Sequence, residues 1–425
     1  MHILHLVHQY PPDYMSGTEL YTQMLATNQA NEGHTVSVFC PAPDGRKGDA
    51  PTATMEQGVR IHRVPLGPRS RTQIFKDTFR QAQLQDGLTA ILKEEPPDIV
   101  HIQHLMGMPL SLIDPVLTAG LPYVVTLHDY WYVCANAQLI TNTDQTICQG
   151  PDRLAINCGR CALARAGKKN AGWLAPAIAP IMGHRNKGAR AILEHADRVI
   201  APTTFVRQRC NAMRIDNENI VVVRHGINLP AAEVEVARRH HEARRPDGRL
   251  HIGYVGSIGR QKGVHVLIEA VNDLPSDHVQ LTIYGDLATF PEYVSQLKQM
   301  IHHPSIILAG SVVREKLWLA LAEFDVFVFP TLWFEVSPMT IDEAFAVGVP
   351  VLASRIGAMN EKIADGINGR LFAPGDVNAL RDILSELIMV PGTLVEWRRN
   401  IEPLNTIYDH IRALEEIYTE ALNTV

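Results

Sequence analysis

Two glutamates separated by seven residues, Glu335 and Glu343, are the side chains of this sequence best spaced to act on one ligand. The apolar run 326–329 before them predicts a buried strand. Ser337-Pro338 predicts a helix N-cap followed by proline at the first helical position, and Gly348 predicts the end of that helix. We therefore expect Glu335 in the strand-to-helix loop and Glu343 about two turns into the helix.

Backbone N–H groups at the start of this predicted helix lie between the two glutamates. Such groups bind anions readily, because they have no acceptor within the helix and carry the positive end of its dipole. A ligand with phosphate in its middle and hydroxyl groups at both ends fits this layout, and a nucleotide sugar is such a ligand. The alternative is a surface helix that carries two solvated glutamates.

Short apolar runs alternate with helical patterns along the chain, which predicts βαβ units and two doubly wound α/β domains. The strands expected in a first parallel sheet are 3–7, 35–40, 99–102, 124–127, 199–201 and 221–223. Those expected in a second sheet are 251–255, 280–284, 306–308, 326–329 and 351–353. Ligands of open α/β sheets bind at the C-terminal ends of strands. The polar or small residues that follow such ends are His8, Gly17, His104, His128 and Glu335.

The composition is that of an ordinary globular protein, with 46% hydrophobic and 20% charged residues. A length of 425 residues favours two domains, and the net charge of −6 gives no indication of nucleic-acid binding. The chain opens on a predicted strand with no signal peptide before it, and no apolar run is long enough to span a bilayer. We expect a cytoplasmic protein, with peripheral contact to the inner face of the plasma membrane as the alternative.

The segment 330–350 resembles the E-x7-E motif of retaining glycosyltransferases of family 4. Residues 253–270 resemble the family's "GR…KG…LI.A" segment, and residues 283–286 resemble its "GDG" turn. In the first half, Ser16-Gly17-Thr18-Glu19 and Thr126-Leu-His128-Asp129 also fit, so the resemblance covers nearly the whole chain. It implies the GT-B fold, an α/β architecture in which two Rossmann-like domains face each other across a cleft.

The resemblance also divides the chain. It implies an acceptor-binding domain over 1–228, a linker over 229–248 and a nucleotide-sugar donor domain over 249–402. The segment 403–425 should form a helix that ends near Leu422 and packs back on the first domain. The charged run 238–245 predicts a solvated helix or loop within the linker.

In the resembled family, Glu343 would accept hydrogen bonds from ribose hydroxyls, and Glu335 would hold sugar hydroxyls. Lys262 would place its charge on the diphosphate. The family usually has an arginine five residues before this lysine, and the chain has Ser257 there, so Arg260 is the alternative second cation. The whole expected donor-binding set is Gly17, Ser257, Arg260, Lys262, Glu335, Val336, Ser337, Pro338, Met339, Thr340 and Glu343.

By the same resemblance, the residues expected to act in catalysis are His128, Lys262 and Glu335, and those expected at the acceptor are Gly17, His104 and His128. The implied reaction moves a sugar, with retention, from a nucleoside-diphosphate sugar to a hydroxyl of a glycan, a lipid-linked acceptor or a small molecule. No Asp-x-Asp pair occurs in the chain. We therefore expect no metal at the reaction centre, with the leaving diphosphate stabilised by Lys262 and the helix dipole.

Two alternatives stay open beside the transferase. A nucleotide-sugar epimerase of the same architecture needs acid and base carboxylates in the first domain, which offers few beyond Glu19 and Asp129. A non-catalytic nucleotide-sugar-binding protein is left open by Ser257, although Glu335 and Lys262 argue against it.

Four cysteines, Cys134, Cys148, Cys158 and Cys161, follow the predicted strand that ends at the "HD" pair, with the spacing C-x13-C-x9-C-x2-C. Four thiolates suit a structural zinc ion or an iron–sulfur cluster. Unligated thiols and a disulfide are the alternatives, the latter disfavoured in a reducing compartment. Some members of the resembled family have a similar loop, which would then shape the choice of acceptor.

Overall fold

The computed structural model describes residues 1–43, 48–215, 218–243 and 247–423, and the chain divides into two compact α/β units. The first unit contains Met1–Gly226 together with the C-terminal segment that begins at Ile407, and the second contains Ile227–Thr406. The predicted class, two Rossmann-like α/β domains, is confirmed.

The first unit is built on one eight-stranded sheet. Its strands are β1 (His2–Leu6), β2 (Thr35–Ala42), β3 (Thr52–Glu56), β4 (Val59–Pro65), β5 (Ile99–Ile102), β6 (Tyr123–Thr126), β7 (Arg198–Ala201) and β8 (Ile220–Val222). The order across the sheet is β3-β4-β2-β1-β5-β6-β7-β8. The expectation of a wholly parallel sheet is wrong at one edge, where β3 pairs antiparallel with β4. Every residue of β3 is exposed or only partly buried, so this strand has no apolar pattern to predict it.

Seven helices before residue 227 belong to this unit among the described residues. They are α1 (Gly17–Asn31), α2 (Arg71–Asp77), α3 (Ala82–Glu94), α4 (Asp114–Thr118), α5 (Ile156–Arg165), α6 (Ala175–Glu194) and α7 (Thr204–Ala212). The strand order reverses direction between β1 and β5, which is the position where doubly wound sheets open a crevice for ligands.

The second unit has a six-stranded, wholly parallel sheet in the order β11-β10-β9-β12-β13-β14. These strands are β9 (Leu250–Val255), β10 (Val279–Tyr284), β11 (Ile306–Gly310), β12 (Val326–Phe329), β13 (Val351–Ser354) and β14 (Gly369–Phe372). Its helices are α8 (Ala231–Ala243), α9 (Val264–Asn272), α10 (Pro291–Met300), α11 (Leu317–Ala322), α12 (Met339–Ala346), α13 (Met359–Lys362), α14 (Val377–Met389) and α15 (Gly392–Arg399). The switch in strand order falls between β9 and β12.

Most of the segment expected as a linker, 229–248, is a packed part of the second unit. Val234 and Ala237 of α8 are buried in a core cluster with Trp318 and Leu321 of α11. Residues 244–246 of this segment, which include the end of the predicted charged run, lie outside the described residues.

The last helix among the described residues, α16 (Ile407–Leu422), belongs to the first unit. Its buried residues include Leu414 and Tyr418, and it packs against α1. Tyr21 of α1 lies within hydrogen-bond distance, 2.5 Å, of His410 Nε2. The helix therefore completes the core of a unit whose other elements precede residue 227.

Candidate active site

Glu335 lies in the loop between β12 and α12 and is 5% exposed. Its Oε1 accepts hydrogen bonds from Lys262 Nζ at 2.7 Å, from Thr331 Oγ1 at 3.0 Å and from Trp333 Nε1. The Lys262 ammonium also lies 5.3 Å from the centre of the Trp333 ring. These donors fix the carboxylate at the C-terminal end of β12, beside the point where the strand order switches.

Two glycines let the neighbouring loops approach this strand end. Gly263 has φ +71°, and a Cβ there would lie 1.8 Å from the carbonyl oxygen of Pro330. Gly357 has φ +65°, and a Cβ there would lie 2.8 Å from the backbone nitrogen of Glu335. Both positions need glycine for its conformation and for its size, so the loops after β9 and β13 are held against the Glu335 loop.

Glu343 is on α12 and is 3% exposed. Its Oε1 accepts a hydrogen bond from Arg314, which follows β11 and whose side chain is 48% exposed. Burial raises the pKa of Glu343, and the Arg314 charge opposes that shift. The Arg314 guanidinium lies 5.4 Å from the ring centre of Trp318. Sequence analysis missed Arg314 as a partner of Glu343, because their contact joins elements 29 residues apart.

Helix α12 begins one residue later than the sequence predicts. Pro338 is the N-cap, Met339 is the first helical residue, and no side chain caps the helix. The N–H groups of Met339, Thr340 and Ile341 have no acceptor within the helix, so they are available to an anion. Glu343 is consequently the fifth helical residue, just over one turn from the start rather than two. Val336 is buried, and Gly348, with φ +81°, follows the helix end as predicted.

The two other expected phosphate contacts are in the loop after β9. The side chains of Ser257 and Arg260 are exposed, and Arg260 makes no ion pair with any described residue. The Ser257 carbonyl accepts a hydrogen bond from Tyr254 at 2.8 Å, which fixes the backbone of the loop. The loop thus brings Lys262 to Glu335 and leaves Arg260 exposed to solvent.

The other expected site residues are in the first unit. His128 follows β6, and its Nε2 lies 2.8 Å from Gln103 Oε1. Burial lowers the pKa of His128 to about 3, so the imidazole is neutral at pH 7. His104 Nε2 lies 2.9 Å from a carboxylate oxygen of Asp129. His128 and Asp129 therefore contact two consecutive residues, Gln103 and His104, in the loop directly after β5.

His8 lies beside this pair, with its ring 4.3 Å from that of His104. Its Nε2 is 3.5 Å from Glu19 Oε1, and Glu19 also accepts a hydrogen bond from the Ser16 hydroxyl. Glu19 is 1% exposed, so both of these contacts lie in the interior of the first unit. Gly17 begins α1, and a Cβ there would meet no atom within 4 Å, so packing within the protein does not require glycine at this position.

The four clustered cysteines all carry free thiols. Three of the four sulfurs accept an N–H hydrogen bond: Cys148 from Gly150, Cys161 from Asn142 and Cys158 from Asn186. No three His, Cys, Asp or Glu side chains in the described ranges are arranged to hold a metal ion. Cys40 and Cys210 are buried, as expected for packing residues.

Comparison with protein families decides the class of the chain. Residues 16–226 match the model described as "Glycosyl transferase 4-like domain", and residues 249–389 match the one described as "Glycosyl transferases group 1". The chain belongs to glycosyltransferase family 4. The expected resemblance is therefore confirmed, and the protein is a glycosyltransferase; the epimerase alternative is not favoured.

Curated relatives of this family 4 glycosyltransferase carry out several different transfers. A GDP-mannose-dependent alpha-mannosyltransferase of Mycolicibacterium smegmatis is 27% identical over 80% of this chain and 76% of the relative. A D-inositol 3-phosphate glycosyltransferase of an Arthrobacter species is 25% identical over 89% of this chain and 83% of the relative. The names of these relatives agree on the reaction class and differ in the substrate.

Solved structures confirm the fold of the family 4 glycosyltransferase. Sucrose-phosphate synthase from Thermosynechococcus elongatus superposes with a TM-score of 0.74 at 17% identity, covering 100% of both chains. The Anabaena protein Alr3699/HepE, solved with UDP and glucose, gives a TM-score of 0.65 at 16% identity, covering 98% of this chain and 99% of that one. Both neighbours extend over both α/β units, so the fold is GT-B.

Proposed function

We propose that this glycosyltransferase transfers a sugar, with retention of configuration, from a nucleoside-diphosphate sugar to a hydroxyl acceptor. The observation that carries the proposal is the arrangement around the start of α12. Two buried carboxylates, each paired with a cation, flank a helix N-terminus that no side chain caps. The arrangement offers acceptors for hydroxyl groups and donors for phosphate oxygens, which are the groups of a nucleotide sugar.

In this proposal Glu343 holds the ribose and Arg314 orients that carboxylate. Glu335 holds hydroxyls of the transferred sugar. Lys262 and the N–H groups of the first turn of α12 stabilise the negative charge that grows on the departing diphosphate. The exposed Arg260 supplies a second cation when the phosphates bind, in place of the arginine that Ser257 replaces.

The transfer step in this proposal needs no metal at the reaction centre. The bond from the anomeric carbon to the diphosphate oxygen breaks, and the acceptor oxygen attacks from the same face. The acceptor proton passes to the departing phosphate oxygen. Lys262 compensates the charge of that phosphate, and His128 contacts a sugar hydroxyl. Gly17 leaves room for the acceptor or a phosphate to approach the backbone at the start of α1.

A thermal-shift screen tests donor binding, because a ligand bound only by the native state raises its stability. UDP, GDP and ADP with their glucose and mannose conjugates are suitable probes. Release of nucleotide that depends on an added acceptor separates transfer from mere binding. The anomeric proton of the product, observed by NMR, tests retention, and an inverted product would refute that part of the proposal.

We further propose that the four clustered thiols hold a structural zinc ion or iron–sulfur cluster. The N–H donors at the sulfurs of Cys148, Cys158 and Cys161 support this, because such bonds stabilise thiolates. The ion would have to draw the side chains together, and it would stabilise the loop between β6 and α6 without entering the transfer reaction.

We also propose peripheral membrane contact. No helix among the described residues is long and apolar enough to cross a bilayer. Support comes from the surface near α5 and α6, where Trp173 is 77% exposed and Leu154 is 68% exposed. Lys168 and Lys169 line a cavity with Trp173. Aromatic and basic groups together suit an anionic lipid surface. Co-sedimentation with phosphatidylglycerol vesicles, compared between wild type and Trp173→Ser, tests the contact.

A further inference from the structure

A series of buried hydrogen bonds in the first unit starts at His128. Its Nε2 lies 2.8 Å from Gln103 Oε1, and Gln103 Nε2 lies 3.1 Å from His5 Nδ1. His5 Nε2 then lies 2.8 Å from Gln29 Oε1. The series thus passes from the end of β6 through β5 and β1 to helix α1.

The series continues to the last helix of the chain. Gln29 Nε2 donates to the Tyr418 hydroxyl at 3.2 Å, and that hydroxyl lies 2.7 Å from His101 Nδ1. His101 Nε2 lies 2.7 Å from the hydroxyl of Thr126. The six residues beyond His128 are fully buried, and we call them the relay: Gln103, His5, Gln29, Tyr418, His101 and Thr126.

The orientations of the two glutamine amides determine which atom donates and which accepts along the relay. Gln103 presents its carbonyl oxygen to His128, so His128 must donate from Nε2. The amide nitrogen of Gln103 donates to His5 Nδ1, which leaves His5 Nε2 as the donor to Gln29. Gln29 then donates to Tyr418, and Tyr418 donates to His101 Nδ1. Every contact of the relay joins one donor to one acceptor in this sense.

The imidazoles of the relay stay neutral, as this assignment requires. Burial lowers the pKa of His5 to about 4 and that of His101 well below its usual value. A neutral imidazole has one N–H and one lone pair. His128 donates its N–H to Gln103, so its lone pair is on Nδ1. That nitrogen has no hydrogen-bond partner among the described residues, and the side chain is partly exposed.

We infer that Gln103 is a positioning residue for the transfer reaction: it holds His128 as the neutral Nε2–H tautomer, with Nδ1 as a hydrogen-bond acceptor. The Gln29 amide is oriented in the same sense along the relay, with its oxygen toward His5 and its nitrogen toward Tyr418. An acceptor nitrogen binds a hydroxyl and repels a phosphate oxygen. His128 therefore contacts a hydroxyl of the sugar or acceptor and not the diphosphate. This contact rests on the proposed function, whereas the tautomer of His128 does not.

NMR of the full chain labelled with ¹⁵N-histidine tests the tautomer at pH 7, without any activity measurement. The signals of His128 are assigned from their loss in His128→Asn. We expect a protonated Nε2 and an unprotonated Nδ1 in the wild type. In Gln103→Met, which keeps length and removes both hydrogen bonds, the His128 signals should shift toward a mixture of tautomers. A wild-type His128 protonated at Nδ1, or an unchanged spectrum in Gln103→Met, would overturn the inference.

Kinetics add a test that separates a positioning role of Gln103 from a merely structural one, because only a positioning role predicts a lower kcat at a nearly unchanged KM for the donor. Nucleotide release from GDP-mannose and UDP-glucose should show a kcat about tenfold or more lower in Gln103→Met, with KM for the donor little changed. Gln103→Glu keeps the oxygen that His128 needs and should recover part of kcat. Gln81→Met is the matched control, since Gln81 is also a buried glutamine of the first unit and bonds to Asp77 instead.

Failure of the proposed function and failure of the inference about Gln103 give different experimental results. If wild type releases no nucleotide from either donor, the proposed function is in doubt, while the NMR result still decides the tautomer. If Gln103→Met lowers kcat and donor affinity equally, or no more than Gln81→Met does, Gln103 is a structural residue and the inference fails. UDP and GDP titrations report whether each variant retains a folded second unit.

Discussion

Replacing Glu343 by alanine should weaken binding of the nucleotide itself while leaving the fold intact. The carboxylate is buried, and its one hydrogen-bonding partner among the described residues is Arg314, whose side chain is 48% exposed. Water can solvate that guanidinium once the carboxylate is gone, so no buried charge is left unpaired. The loss of one half-exposed ion pair should change the free energy of unfolding by about 1 kcal/mol or less.

The effect on binding should be larger than the effect on stability. A hydrogen bond from a ribose hydroxyl to a carboxylate contributes about 1.5–3 kcal/mol. That range corresponds to a Kd for the free nucleoside diphosphate about 10- to 150-fold weaker in the variant. Glu335→Ala should behave differently, because its carboxylate accepts from Lys262 and Trp333 and is proposed to hold the sugar. We expect that variant to retain nucleotide affinity, to lose stability and to transfer slowly.

Isothermal titration calorimetry with UDP, GDP and ADP measures these affinities. Asp342→Ala is the matched control, because Asp342 is the adjacent acid on the same helix and pairs with Lys362 rather than Arg314. We expect this control to bind nucleotide as wild type does. Equal affinity in Glu343→Ala and wild type would refute the assignment of Glu343 to the ribose. A selective loss in Glu335→Ala would exchange the two roles.

Chelation of divalent ions with EDTA should leave turnover largely intact, because Lys262 and the α12 N-terminus are proposed to stabilise the diphosphate; activity that collapses and returns with magnesium would contradict this. Elemental analysis of protein purified without added metal should find about one zinc per chain, or iron with a visible absorption band, and Cys158→Ser should release it. A metal-free native protein whose Cys158→Ser form transfers sugar normally would leave these cysteines as ordinary thiols. Stability should fall as the pH drops from 6.5 to 4, because burial lowers the pKa of His5 and His410 to about 4 and only the unfolded chain binds protons there. Urea unfolding should detect a loss of about 3 kcal/mol per histidine at pH 4, and a smaller pH slope in His410→Gln; a pH-independent free energy of unfolding would refute it.

The sequence predicts the parts of this protein that depend on local patterns. The strand before Glu335, the helix that carries Glu343 and the glycine that ends it all follow from apolar runs and capping residues. The edge strands β3 and β14, and β4 beside β3, were missed, because their placement depends on pairing with neighbours rather than on their own periodicity. The start of α12 differs from prediction because Pro338, rather than Ser337, occupies the N-cap position.

Contacts between distant elements are the part that one sequence does not reveal. Arg314 meets Glu343 only because β11 ends and α12 begins on the same side of the second unit. Gln103 drew no attention in the sequence, since a single glutamine after a strand has no distinctive pattern. Its importance follows from the side chains of His128 and His5, which approach Gln103 only in the folded unit.

The position of α16 has a consequence for how the protein is made. The second unit is inserted in the sequence of the first, and its ends are close, since Ile227 forms a parallel bridge with Thr406. All residues of the second unit are therefore synthesised before α16. The first unit cannot complete its core until then, because Tyr418 and His410 are part of its buried hydrogen-bond network and follow the whole second unit in the sequence. The unit whose sheet is synthesised first is thus the unit whose core is completed later.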